Sequence, residues 1–125
     1  MKNQITVRDF SISEYESLIE LYQKAGLPHR PEGRDSRQNI AAELERKDTC
    51  ILLAECGRII AGSVVATCDG RKGWINRLAV SPQFRGEGIA GLLVDEAEKR
   101  LISLGVKIFS CLILTDNAAS MRVFE

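Results

Sequence analysis

At 125 residues the chain is read as one domain, long enough to bury a core and too short for two. Its 17 basic and 17 acidic residues cancel, which removes any overall electrostatic case for nucleic acid or a membrane surface as a partner. No apolar run approaches the ~20 residues of a membrane helix, and Met1-Lys2-Asn3-Gln4 is not followed by the apolar core of a signal peptide.

Residues 5–9 alternate weakly and predict a first strand, after which Ser11-Ile12-Ser13-Glu14 has the spacing of a capping box. A helix should then run to Ala25, burying Tyr15, Leu18, Leu21, Tyr22 and Ala25, with Gly26 as its stop. Residues 27–34 hold two prolines and a glycine among polar groups and read as a surface loop containing His29, the only histidine. Asp35-x-x-Gln38 resembles a second capping box opening a short helix that ends before Asp48.

Strands are expected at residues 49–55, 58–68 and 74–80, with reversals at Cys56-Gly57 and at residues 69–73, which makes an antiparallel meander. A long helix over residues 86–104 places Ile89, Leu93, Ala97, Leu101 and Leu104 on one stripe, and Gly105 supplies its left-handed stop. The apolar run 108–114 after it predicts a strand buried on both faces and reached by a crossover. The fold class is therefore α/β (α+β), with a mixed, mainly antiparallel central sheet and flanking helices. Cys50, Cys68 and Cys111 fall in or at the ends of these apolar strands. With Cys56, they show neither zinc-site spacing nor the density of a disulfide scaffold, so the expectation is reduced thiols, no metal and a cytoplasmic protein.

Gln83-Phe84-Arg85-Gly86-Glu87-Gly88-Ile89-Ala90 joins the third meander strand to the long helix. Ser81-Pro82 ends the strand, since proline offers no N–H to a ladder. At the helix mouth, unpaired N–H groups and the positive end of the helix dipole converge on a volume suited to phosphate. Gly86 and Gly88 let the backbone turn sharply and approach a ligand, and Arg85 can add a charge. The G-x-x-x-x-G-K-S/T spacing of a P-loop is absent, which disfavours a nucleotide protein.

Gln83-x-x-Gly86-x-Gly88 resembles the acyl-CoA signature, Q/R-x-x-G-x-G/A, of the GCN5-related N-acetyltransferase (GNAT) superfamily, and Leu78-Ala79-Val80-Ser81-Pro82 is similar to its usual lead-in. Asn117-Ala118-Ala119-Ser120-Met121-Arg122-Val123-Phe124-Glu125 is similar to the family's N-x-x-A/S-x-x-x-Y-E segment. The resemblance spans nearly the whole chain and implies an N-acetyltransferase using acetyl-CoA, with a small-molecule or peptide amine as acceptor. It implies that the backbone of Leu78, Ala79 and Val80 holds the pantetheine arm, with the Leu78 N–H toward the thioester carbonyl. Gln83, Arg85, Gly86, Gly88, Ile89 and Ala90 would surround the pyrophosphate, and Asn117 and Ser120 would lie by the arm. Asn117 reads equally as the N-cap of the last helix. The family continues into two further strands beyond Glu125, so a chain incomplete at its C-terminus is expected, with an exposed sheet edge that a second copy could fill.

The chain departs from the family where proton transfer would occur. The positions that often carry a glutamate hold Trp74, Asn76 and Leu112, and the family's tyrosine acid is replaced by Phe124. Glu55 and Asp116 are substitutes only through a water chain, and their plainer reading is a surface charge and a turn residue. No catalytic residue is assigned, which leaves a second reading: an acyl-CoA-binding module with little or no turnover. Arg30, Arg34 and Arg37 would favour an anionic acceptor, although Glu32 and Asp35 offset them.

Overall fold

A computed structural model of the chain describes residues 4–30, 32–68 and 72–104, with 108–112 as backbone alone. Its elements are β1 (Ile5–Asp9), α1 (Tyr15–Ala25), α2 (Arg37–Leu44), β2 (Thr49–Cys56), β3 (Ile59–Cys68), β4 (Lys72–Val80), α3 (Ile89–Ser103) and β5 (Ile108–Leu112). Short 3₁₀ turns at Ile12–Glu14 and Pro82–Phe84 lead into α1 and toward α3.

The five strands lie in sequence order, β1-β2-β3-β4-β5. β1 to β4 are antiparallel, and β5 joins β4 in parallel after the α3 crossover, the mixed sheet that the sequence predicts. The period-two alternation of the strands sorts the core into two layers. Leu52, Ala54, Val64, Ala66, Leu78 and Val80 pack beneath α3. Ile51, Leu53, Val65 and Ala79 pack on the opposite face beneath α1 and α2. Central strands covered on both faces read as near-continuous apolar runs, as β2 and β3 do.

At the entry to α1, the Ser11 N–H donates to Glu14 Oε1 at 3.3 Å. Gly26 ends the helix at φ 75°, as expected. Leu18, Leu21 and Tyr22 are buried, while Tyr15 and Ala25 are partly buried against the same core. α2 departs from expectation. Its N-cap is Ser36, whose hydroxyl accepts from the Asn39 N–H at 3.2 Å. Asp35 does not cap because its carboxylate is turned inward onto Arg77.

α3 opens at Ile89 rather than Gly86, since Gly86 and Gly88 both take positive φ, 86° and 78°, and cannot belong to a right-handed helix. Its buried stripe is Ile89, Leu93, Val94, Ala97 and Leu101. Val94 completes it and Leu104, at 48 % exposure, does not join, because the helix ends at Ser103. Cys56 and Cys68 are buried and Cys50 is half-buried, all as free thiols, and burial pushes the Cys50 thiol up. The reversal at 69–71, Gly105 and residues 113–125, hence Asn117, Ser120, Asp116 and Phe124, lie outside the described residues.

Candidate functional site

The C-terminal half of β4 and the mouth of α3 meet at one end of the sheet. β5 pairs with β4 from Lys72↔Ile108 to Asn76↔Leu112 and, among the described residues, no farther, while Ala79 and Val80 pair with Ser63 and Gly62 of β3 beyond the bulge. Leu78, Ala79 and Val80 are buried as whole residues, at 3 %, 0 % and 4 % exposure, and their side chains belong to the core. Ser81 then leaves the strand, its N–H donating to the Ala61 carbonyl at 2.8 Å, and buried Phe84 anchors the following turn.

Pro82–Phe84 coils once, Arg85 returns to extended geometry, and Gly86-Glu87-Gly88 carries the chain into α3. Among the described residues no side chain caps the helix, and the first N–H that finds an intrahelical acceptor is that of Leu92, bonded to the Gly88 carbonyl at 3.2 Å. The N–H groups of Ile89, Ala90 and Gly91 precede it, in the turn where a helix has no acceptors of its own. A Cβ built on Gly86 or Gly88 would meet nothing within 4 Å. Their positive φ, not crowding, requires glycine, and open space stands before the helix mouth. The sign of the dipole and an uncapped donor set make that space complementary to an anion.

Several predicted residues converge here and one is engaged elsewhere. Gln83 lines a groove of about 260 Å³ between α1 and the start of β3, shared with Leu21, Lys24, Arg58, Ile60 and Ser81. Glu87 is exposed. Arg85 is exposed too, but its Nη2 donates to the Ala25 carbonyl at 3.1 Å, satisfying the C-terminal end of α1.

Of the two carboxylates considered as proton acceptors, Glu55 is committed to an ion pair and Asp116 lies outside the described residues. Arg8 places Nη2 2.7 Å from Glu55 and also binds Glu14 at 2.6 Å. The hydrogen bond from Arg8 holds the Glu14 carboxyl below its usual range, and the same contacts raise the guanidinium. Asn76 is half-buried and has no basic atom. His29 Nδ1 lies 3.1 Å from the Leu27 carbonyl, and its ring sits 6.4 Å from that of Tyr22. Of the arginines considered for an anionic acceptor, Arg34 reaches Asp35 and Arg37, at the start of α2, lies near Glu16 and over the Tyr15 ring, which weakens that case.

Sequence reading missed Arg77 and Asp35. Arg77 is the one non-glycine residue with positive φ, 51°, among the described residues, and it pairs with Asp35, which is only 4 % exposed. The signal was the polar pair Asn76-Arg77 between Ile75 and Leu78, a break in alternation that marks a bulge. Across it, the β3 partner shifts from Val65↔Asn76 to Ser63↔Ala79.

Among the described residues no group of three His, Cys, Asp or Glu side chains is placed to hold a metal, and no helix is long and apolar enough to cross a membrane.

The profile of the Acetyltransferase (GNAT) family matches residues 15–125. An acetyltransferase of Pectobacterium atrosepticum is 34 % identical over 119 residues, covering 95 % of this chain and 83 % of that protein. The PaiA N-acetyltransferase of Thermoplasma acidophilum, solved in complex with coenzyme A, superposes with a TM-score of 0.80 at 20 % identity, over 97 % of this chain and 86 % of the other. Glucosamine-6-phosphate N-acetyltransferase of Arabidopsis thaliana gives 0.80 at 17 %, over 98 % and 91 %.

Proposed function

The chain belongs to the acetyltransferase (GNAT) family, and from that premise we propose that it transfers the acetyl group of acetyl-CoA to a primary amine by direct attack. The observation that carries this reading is the uncapped N-terminus of α3, opened by Gly86 and Gly88 onto free space directly after the buried segment Leu78–Ala79–Val80. The Gly86–Ala90 main chain supplies donors for the diphosphate, with Gln83 alongside. The polar backbone of β4 supplies hydrogen bonds for the pantetheine arm and, at Leu78, a donor toward the developing oxyanion, a type of contribution worth about 3–4 kcal/mol in well-studied enzymes. Structural relatives solved with coenzyme A support the donor, and the aminosugar relative supports a small amine as acceptor. The proposed complement of Asn117 and Ser120 lies outside the described residues.

No protein base is assigned. An amine with a pKa of about 10.4 is almost wholly protonated at neutrality, so with no base to take its proton kcat/KM rises close to tenfold per pH unit through neutrality. Leaving as an unprotonated thiolate of pKa near 8.5 costs about 2 kcal/mol at pH 7, a burden a slow enzyme can carry.

The test is calorimetry with acetyl-CoA followed by thiol release over a panel of amines: spermidine, glucosamine 6-phosphate, neamine and a lysine peptide. Saturable binding with amine-dependent release is expected, and a folded protein that binds no CoA refutes the proposal. The pairing of Glu55 with Arg8 and the presence of Asn76 favour the second reading, an acyl-CoA-binding module. Binding without release across the panel would establish that reading.

A further inference from the structure

Arg77 interrupts β4 one residue before the segment assigned to the acyl donor, and it does so with a left-handed backbone that a side chain disfavours and glycine adopts freely. An arginine at such a place is explained by what its side chain reaches. Nη2 donates to the Pro28 carbonyl at 3.2 Å and to Asp35 Oδ2 at 3.1 Å, and the guanidinium lies 4.7 Å from the centre of the Tyr22 ring. All three partners belong to the end of α1 and the loop 27–35 that follows it. Asp35 in turn accepts from the Arg30 N–H at 2.7 Å, while the Tyr15 hydroxyl donates to the Asp35 carbonyl at 2.6 Å. One strained strand residue thus helps to hold a loop whose described residues form no helix or strand, alongside Tyr15 and the Asn39 amide, which donates to the Gly33 carbonyl at 2.7 Å.

Charges around this contact are few. Arg34 approaches Asp35 at 3.5 Å, and Glu43 of α2 borders the same small cavity of about 60 Å³ with Ile40, Ile51 and Val65. Arg77 Nε is buried without a hydrogen-bond partner among the described residues, so its position is set by the Nη2 bonds and the Tyr22 ring rather than by a saturated network.

We propose that Arg77 is a positioning residue for the amine acceptor: by tying the 27–35 loop to the bulge of β4, it fixes the wall past which the amine reaches the acyl group. The inference rests on the acyl-CoA reading of β4 and α3. The donor grip is anchored separately, through the Ser81–Ala61 hydrogen bond, buried Phe84 and the packing of α3, all of which leave Arg77 aside. α3 covers one face of β4, and on the other the end of α1, with Tyr22, and the 27–35 loop together stand over Arg77.

Arg77→Gly separates backbone from side chain, because glycine keeps the positive φ without strain while the guanidinium is lost. Amide exchange at Arg30 should accelerate at least roughly tenfold in this variant as its Asp35 acceptor is released. CoA affinity should stay within about threefold, and kcat/KM for whichever panel amine the wild type uses best should fall at least roughly tenfold through the KM of the amine, not that of acetyl-CoA. Arg77→Lys should recover part of the loss, and Asp35→Asn should fall between them, since an amide still accepts a hydrogen bond. Unchanged Arg30 exchange, or CoA affinity falling in step with amine use, overturns the proposal. A wild type that binds no CoA instead defeats the acyl-CoA reading, and the exchange result then reports on the clamp alone.

Discussion

Gly62 and Ala79 approach so closely across β3 and β4 that a methyl group on Gly62 would stand 2.8 Å from the Ala79 carbonyl oxygen. The same methyl would lie 3.0 Å from Leu93 Cδ1 and 3.2 Å from Ile89 Cγ2. A backbone oxygen within a paired ladder cannot move aside cheaply, and Ile89 is the first residue of α3. Gly62→Ala should therefore destabilise the fold by about 1–3 kcal/mol and shift the helix mouth, weakening CoA binding with it. Urea denaturation beside calorimetry checks both, and a variant as stable as the parent would contradict the packing described.

Which features were legible in the sequence follows from how local their causes are. The strands of the meander and the stripe of α3 announce themselves through apolar spacing, because each is imposed by one sheet face or one helix stripe. The glycine turn at Gly86 and Gly88 was legible for the same reason: positive φ is a property of the residue itself. The cap of α2 was misplaced because Asp35 and Ser36 are both good caps by type. The choice between them is made by Arg77, 42 residues away. Likewise the lodging of Arg85 on the Ala25 carbonyl is set by how α1 lies beside the turn, information no local pattern carries.

Gly88 is the opposite case, since a Cβ there meets nothing within 4 Å and only the φ of 78° resists it. Gly88→Ala should cost about 1–2 kcal/mol from backbone strain alone. It should also weaken CoA binding at least roughly tenfold by intruding on the donor mouth. Gly57, in the turn between β2 and β3, is the control: it takes a similar φ of 64° with nothing within 4 Å, and Gly57→Ala should cost the same about 1–2 kcal/mol while leaving CoA affinity unchanged. Equal effects of the two substitutions on CoA binding would detach the anion site from Gly88.

The Arg8–Glu14–Glu55 cluster predicts a particular acid limb. Hydrogen bonding from Arg8 lowers the Glu14 pKa in the folded state, so this carboxylate contributes stability above its unfolded pKa of about 4.3, and the contribution is lost as pH falls through the lower folded value. The stability gap between wild type and Glu14→Gln should be constant near neutrality and close below roughly pH 4. Glu43 has the opposite sign. Burial, with the Asp35 charge second, raises its pKa, so Glu43→Gln should gain stability at neutral pH relative to wild type and lose that advantage on acidification. Urea midpoints across pH 3–7 read both, and a Glu14→Gln gap that widens in acid would refute the first.

Arg85 separates two roles by two observables. Its guanidinium donates to a carbonyl at the C-terminal end of α1, where a cation also meets the negative end of the helix dipole. Arg85→Ala should accordingly lose about 0.3–1 kcal/mol of stability, the worth of an exposed cation at a helix terminus. CoA affinity should change by less than about threefold, because main-chain donors at Gly86–Ala90 carry the diphosphate. If the side chain instead leaves α1 for the diphosphate when the ligand arrives, the pattern inverts. Stability of the free protein still drops, but CoA affinity falls at least roughly tenfold and its dependence on ionic strength weakens as one charge contact is removed. Titrating CoA at two salt concentrations with both proteins decides between a residue that holds α1 in place and one that also grips the ligand.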